Sequence, residues 1–194
     1  LAGPASTRDL ASVLAFAPAD SVVLLDGAFS RISPMAIADC LILATGAARS
    51  RDSHRIAREI NAMDRIMGLP VIELPGADEG SGDGLLQVSG GLFLPGQGQE
   101  LAWRLNGSVK LQTAHVTGIV NPEVFLEALE EMNLNEHREV SVVFDHPIML
   151  LLSGDLLRWE EVFSIIPEVG LTVGVRATTT LLGITINPYT PTES

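Results

Sequence analysis

Cysteine, lysine and long apolar runs are scarce in this chain of 194 residues. The one cysteine, Cys40, excludes an internal disulfide and is typical of a reducing compartment. Lys110 is the only lysine, and 12 basic residues stand against 24 acidic ones, so the net charge is −12. This balance argues against wrapping nucleic acid, because phosphate neutralisation needs lysine and arginine. The longest apolar run, 148–152, is far shorter than the roughly 20 residues of a membrane helix. We therefore expect a soluble cytoplasmic protein without nucleic-acid or membrane contacts.

Apolar residues make up 46% of the chain, enough for a folded core. In the first half, short apolar runs closed by polar turns alternate with helical periodicity, which is typical of parallel strands connected by helices. The predicted elements are a helix capped by Ser6, strands 22–25, 40–44 and 71–74, and a helix over 53–67. Five arginines between Arg49 and Arg65 indicate a solvated helix face, with a local anion patch as the alternative.

The second half begins after a glycine-rich stretch. Eight glycines fall between Gly76 and Gly98, which predicts a connection between two segments, 1–80 and 84–194. Alternating apolar residues on both sides of Asn106-Gly107 predict an antiparallel hairpin. Further along, the predicted strands are 115–120, 140–144, 171–175 and 182–186, with the run 148–152 as a buried strand and helices starting at Asn121-Pro122 and at Ser153 or Asp155. The predicted fold is α/β, with a largely parallel sheet flanked by helices and an antiparallel hairpin insertion.

Ligands of open parallel sheets bind beyond the carboxyl ends of the strands. Polar residues follow several predicted strands, namely Asp26-Gly27, Thr45-Gly46, Glu73 and Asp145-His146. An apolar strand that ends in Asp26 is how many nucleotide hydrolases place a carboxylate near magnesium. Asp-Gly also simply turns a chain, so turn formation is the alternative for Asp26 and Gly27.

Four stretches carry more specific motifs. They are Leu1-Ala2-Gly3-Pro4, Val23 to Arg31 with Asp-Gly-Ala-x-x-Arg, Ala38 to Ala47 with Ala-Asp-x-x-Ile-Leu-Ala-Thr-Gly-Ala, and Ile184 to Pro191 with Thr-x-Asn-Pro-x-x-Pro. These motifs and their order along the chain resemble those of the lysine 5,6-aminomutase reactivase subunit family. The members of this family are P-loop proteins encoded with adenosylcobalamin-dependent aminomutases. The family's phosphate-binding loop lies upstream of these motifs, and no Gly-Lys-Thr or Gly-Lys-Ser occurs in this chain. The resemblance therefore implies a C-terminal portion that lacks the P-loop.

The resemblance implies a nucleotide-dependent reactivase that uses ATP or GTP with Mg²⁺ and acts with an aminomutase or a second reactivase subunit. Asp26 would be the catalytic carboxylate on the magnesium side, and Gly27, Arg31, Thr45 and Gly46 would bind the ligand at the same edge. Asp145, at another strand end, is a further candidate ligand residue. The sequence around Asp145 lacks the basic residue expected in the family, which leaves the second half open.

Two other functions remain open from the sequence. The chain can be a non-catalytic α/β binding module that docks a protein partner or a small anion. It can also be an enzyme of an unrelated class that works at the strand ends through Asp26 and Asp145-His146.

Overall fold

The computed structural model describes residues 7–26, 37–46, 49–75, 84–108, 110–133, 139–153 and 155–189. The helices are α1 (Thr7–Leu14), α2 (Ser53–Met67), α3 (Gln97–Gly107), α4 (Pro122–Glu131), α5 (Ile148–Leu151) and α6 (Arg158–Ile165). The strands are β1 (Cys40–Gly46), β2 (Leu85–Val88), β3 (Thr113–Val116), β4 (Val140–Phe144), β5 (Leu171–Val175) and β6 (Thr180–Asn187). All strand pairs among the described residues are parallel, so the predicted α/β class is confirmed.

The larger sheet contains four strands in the order β2-β3-β4-β5. Its successive strands are connected through at least one helix, and α3, α4 and α6 pack in series. Crossovers between parallel strands share one hand as a rule, so strands that pair in sequence order place their connecting helices on one face, which accounts for this series. The shared core includes an edge-to-face contact between Phe144 of β4 and Phe125 of α4, with ring centroids 5.5 Å apart. Among the described residues, no helix is both long and apolar enough to cross a membrane.

Side-chain caps explain where two of the predicted helices begin. The Asn121 side chain accepts a hydrogen bond from the Glu123 amide at 2.9 Å, and Pro122 occupies the first helical position of α4. Asp52 caps α2 in the same way, through the amide of His54 at 2.9 Å. The Asn121-Pro122 start was predicted from the sequence, whereas the helix over 53–67 was predicted from apolar spacing without its cap, and both helix predictions are confirmed.

The smaller sheet joins distant parts of the chain. β1 pairs with β6 from Cys40–Thr180 to Gly46–Asn187, with an irregularity after Leu41. A Cβ atom at Gly46 would lie 2.0 Å from the Asn187 carbonyl oxygen, so only glycine allows this close approach. Val71 also bridges to Val175 at the edge of the larger sheet. Both pairings cross the division near residue 80 that the glycine-rich stretch predicts, and that division stays a prediction.

The predicted antiparallel hairpin around Asn106-Gly107 is wrong, because these residues end helix α3. The alternating sequence pattern predicts Leu101 and Leu105 on one face of a strand, but their spacing of four residues also fits a helix. In the structure both leucines are buried, whereas Trp103 between them is 74% exposed. The Asn106 side chain joins the end of α3 to the end of α4. It donates a hydrogen bond to the Glu131 carbonyl at 2.8 Å and accepts one from the Asn133 amide at 3.0 Å. Tertiary packing against the end of α4 thus decides the conformation.

Three further strand predictions differ from the structure. Residues 71–74 form no strand but only the isolated bridge from Val71 to Val175. The apolar run 148–152 forms α5 instead of a buried strand, and the amide of Ile148 donates to Nδ1 of His146 at 3.2 Å at its start. Residues 21–26 belong to no strand, and Val22 and Leu24 are 88% and 86% exposed. A continuous apolar run alone does not distinguish a strand from a buried helix or an uncovered segment.

Helix α3 packs closely on α4 at Gly98, which supplies a stability test. A Cβ atom at position 98 would lie 2.1 Å from the Val124 carbonyl oxygen, whereas one at Gly107 on the same helix would meet nothing within 4 Å. We expect Gly98→Ala to lower the free energy of unfolding by about 1–3 kcal/mol through overpacking. Gly107→Ala should leave it unchanged or raise it by up to about 1 kcal/mol. Urea unfolding measures both, and equal midpoints for the two variants would contradict this packing.

Candidate functional site

A cavity of about 660 Å³ opens at the carboxyl ends of β1 and β6. Thr45 and Gly46 line it from the end of β1, and Asn187 lines it from the end of β6. Its apolar wall consists of Leu43, Ala44, Met63, Leu151, Leu152 and Leu156. The cavity therefore lies where parallel α/β sheets bind ligands, and its size is within the roughly 300–1,000 Å³ of small-molecule sites.

Arg49 is the charged residue of the described cavity lining. Its backbone amide donates to the Gly46 carbonyl at 2.8 Å, so the turn after β1 carries it directly to the cavity. Its Nε donates to Oε2 of Glu59 at 3.1 Å. The Arg49 side chain is about half exposed, so its guanidinium is held by Glu59 and is still accessible to solvent.

Glu59 is 1% exposed, although it carries a carboxylate. Its second oxygen, Oε1, accepts from Nε of Arg55 at 3.2 Å, one helical turn away on α2. A buried carboxylate is costly unless it is paired, and here both oxygens are paired with arginines. We refer to Arg49, Glu59 and Arg55 as the arginine–glutamate cluster. Its formal charge is +1, since two guanidinium groups share one carboxylate.

Two of the residues that the sequence assigned to one site are found on the cavity lining. Thr45 and Gly46 line the cavity as expected for a site at the end of β1. Asp26 is exposed, it ends a segment outside the strands, and it is not among the described residues of the cavity lining. Gly27 and Arg31 lie outside the described residues. Their roles, and that of Asp26 at magnesium, stay predictions.

Asp145 lies at the end of β4 in the other sheet and belongs to a second polar cluster. Nε2 of His115 is 2.8 Å from Oδ1 of Asp145, and Nδ1 of His115 is 3.0 Å from Oε1 of Gln87. His115 is buried, whereas Asp145 is partly exposed. Both imidazole nitrogens are engaged, so His115 orients the Asp145 carboxylate and has no free nitrogen in this arrangement. The sequence alone does not indicate this role of His115, because Gln87 and Asp145 come from neighbouring strands that are distant in sequence.

His146, the second residue of the Asp145-His146 pair, has a structural role. Its Nδ1 accepts from the Ile148 amide at 3.2 Å, and its Nε2 is 3.0 Å from the hydroxyl oxygen of Thr179, the residue before β6. It thereby connects the start of α5 with the smaller sheet. Burial lowers the pKa of His146 from its ordinary value of 6.5, because the charged form loses its hydration.

Within the part of the chain that the structure describes, no three His, Cys, Asp or Glu side chains come together as a metal site. No protein-family model, no curated protein and no solved structure matches this chain. The function is therefore inferred from the geometry of the cavity and of the arginine–glutamate cluster.

The hydrogen bonds of His146 predict how stability depends on pH. The lowered pKa means that the folded state prefers the neutral ring, so this contribution is fully present above the unfolded value of 6.5 and declines as pH falls below it. His146→Asn keeps an acceptor for the Ile148 amide but does not titrate. We expect the free energy of unfolding to fall more steeply between pH 7.5 and pH 5 in the native protein than in this variant.

Urea unfolding across this pH range measures the difference. The two proteins differ only at position 146, so a difference between their pH profiles arises from that side chain. Parallel pH profiles would show that the neutral His146 ring does not stabilise the start of α5.

Proposed function

We propose that this chain is a ligand-binding module that holds a small anion with an apolar body in the cavity at the carboxyl ends of β1 and β6. The observation that carries the proposal is the position of Arg49, a cation at the strand ends on the lining of an otherwise largely apolar cavity. The proposal agrees with one of the two other functions that the sequence leaves open, a non-catalytic α/β module that docks a small anion.

The composition of the cavity fits such a ligand. Small-molecule sites are mostly apolar, with a few polar groups that orient the ligand. Here leucine and methionine side chains provide the apolar surface, and Thr45, Arg49 and Asn187 provide the polar groups. Arginine suits carboxylate and phosphate groups because its planar guanidinium donates two parallel hydrogen bonds. Glu59 holds that guanidinium before any ligand arrives, which reduces the entropy lost on binding.

A second candidate is the C-terminal portion of a cytoplasmic, nucleotide-dependent reactivase for a cobalamin-dependent aminomutase. One structural observation favours it. Two of the segments that resemble this family are far apart in sequence, yet residues 40–46 and 184–187 lie side by side in β1 and β6. Their ends, Thr45, Gly46 and Asn187, meet at the cavity. In this candidate the ligand is ATP or GTP with Mg²⁺, the phosphate loop comes from a longer protein, and the partner is the aminomutase or a second reactivase subunit.

Calorimetric titration with decanoate, decyl phosphate, decanol and Mg-ATP tests these proposals. We expect at least one anionic amphiphile to bind more tightly than decanol. Arg49→Met should weaken binding of that anion by about tenfold or more, because a hydrogen bond to a charged group is lost. Ala44→Phe, which places a ring on the lining, should weaken the anionic amphiphiles and decanol alike.

Arg55→Met is the matched control for Arg49→Met. Arg55 also pairs with Glu59 through Nε, but it is not among the described cavity residues. Its loss removes a positive charge nearby but no direct hydrogen bond to the ligand, so it should weaken anion binding less than the loss of Arg49. Equal losses for the two variants, or no binding of any amphiphile, would contradict the proposed function. Tight binding of Mg-ATP without amphiphile binding would instead support the reactivase candidate.

A further inference from the structure

We propose that the cavity selects a monoanionic carboxylic acid with an apolar chain over a phosphate ester, and that Glu59 is the positioning residue that sets this selectivity. The inference rests on the proposed function, since it names the ligand class of the same cavity. It also assigns a role to a buried carboxylate that does not touch the ligand.

The first argument is charge balance. Glu59 cancels one of the two positive charges of the arginine–glutamate cluster, which leaves a formal charge of +1 beside the cavity. One carboxylate neutralises that charge. A phosphate monoester carries close to two negative charges above pH 7, so part of its charge stays uncompensated next to apolar walls. The net charge of −12 on the chain adds to this penalty.

The second argument is the geometry of the guanidinium. Glu59 binds Nε of Arg49, and among the described residues the Arg49 side chain makes no other hydrogen bond or ion pair. The edge formed by its two terminal nitrogens is therefore the part left for a ligand. Two parallel N–H groups match the two oxygens of a carboxylate. Glu59 fixes the direction of this edge because it is buried on α2 and held from its other side by Arg55.

The third argument concerns the rest of the ligand. The apolar lining residues include Leu43, Met63 and Leu152, whose side chains donate no hydrogen bonds and offer only the weak acceptor of the Met63 sulfur. A hydrocarbon chain loses no hydrogen bonds in this environment, whereas a sugar or a second phosphate would. The cavity therefore combines one site for a carboxylate with a surface for an aliphatic chain.

The experiment compares the affinities for decanoate and decyl phosphate at pH 8, in the native protein and in Glu59→Gln. We expect the native protein to bind decanoate about tenfold more tightly than decyl phosphate. Glu59→Gln nearly keeps the shape of the side chain but raises the formal charge of the cluster to +2, so this ratio should fall by about tenfold. A merely structural role of Glu59 would change both affinities equally and leave the ratio unchanged.

Arg55→Gln provides the opposite change and a second route if Glu59→Gln does not fold. Arg55 is half exposed, and its replacement lowers the formal charge of the cluster to zero. The preference for decanoate over decyl phosphate should then rise by about tenfold. An unchanged ratio in this variant, or in folded Glu59→Gln, overturns the inference, as does a native preference for decyl phosphate.

The outcomes separate the two proposals. If neither amphiphile binds to the native protein, the proposed function itself is wrong. If both bind through Arg49 but the ratio does not respond to the charge of the cluster, only the role of Glu59 and the carboxylate class are wrong.

Discussion

The parallel pairing of β1 with β6 is the interaction on which the candidate site depends. Its register places the end of β1 beside the end of β6, and Gly46 permits the close approach to Asn187. The turn that follows is fixed by the hydrogen bond from the Arg49 amide to the Gly46 carbonyl. The polar groups around the cavity therefore depend on one contact between strands that come from opposite parts of the sequence.

The segment that follows β4 of the larger sheet contributes part of the apolar wall of the cavity. The chain leaves β4, passes His146 and forms α5, and Leu151 and Leu152 then face the space at the end of β1. His146 also reaches Thr179 just before β6, so the same short segment connects the two sheets. On α2, the buried Glu59 carboxylate is paired with two arginines, Arg49 and Arg55. The positive charge at the cavity therefore follows from the need to compensate a carboxylate in the core.

Local signals predicted the parts of the fold that local interactions decide. Caps and apolar periodicity predicted α2 and α4, and runs bounded by turns predicted β1, β4 and β5. Where one pattern fits two structures, packing decided, as in α3, whose spacing of apolar residues suits a strand or a helix. The rule about strand ends pointed to Thr45 and Gly46, which line the cavity. It could not indicate that Arg49 meets Glu59 across a turn, or that His115 meets Asp145 across a parallel register.

Methionine methyl NMR with decanoate as the ligand tests the central claim most directly. The chain has five methionines, and Met63 lines the cavity while Met132, at the end of α4, does not. With methyl-labelled methionine, titration of decanoate should shift the Met63 signal in a saturable manner and leave the Met132 signal in place. Saturable binding without a response at Met63, or equal responses at both methyl groups, would show that the ligand does not occupy the cavity at the ends of β1 and β6.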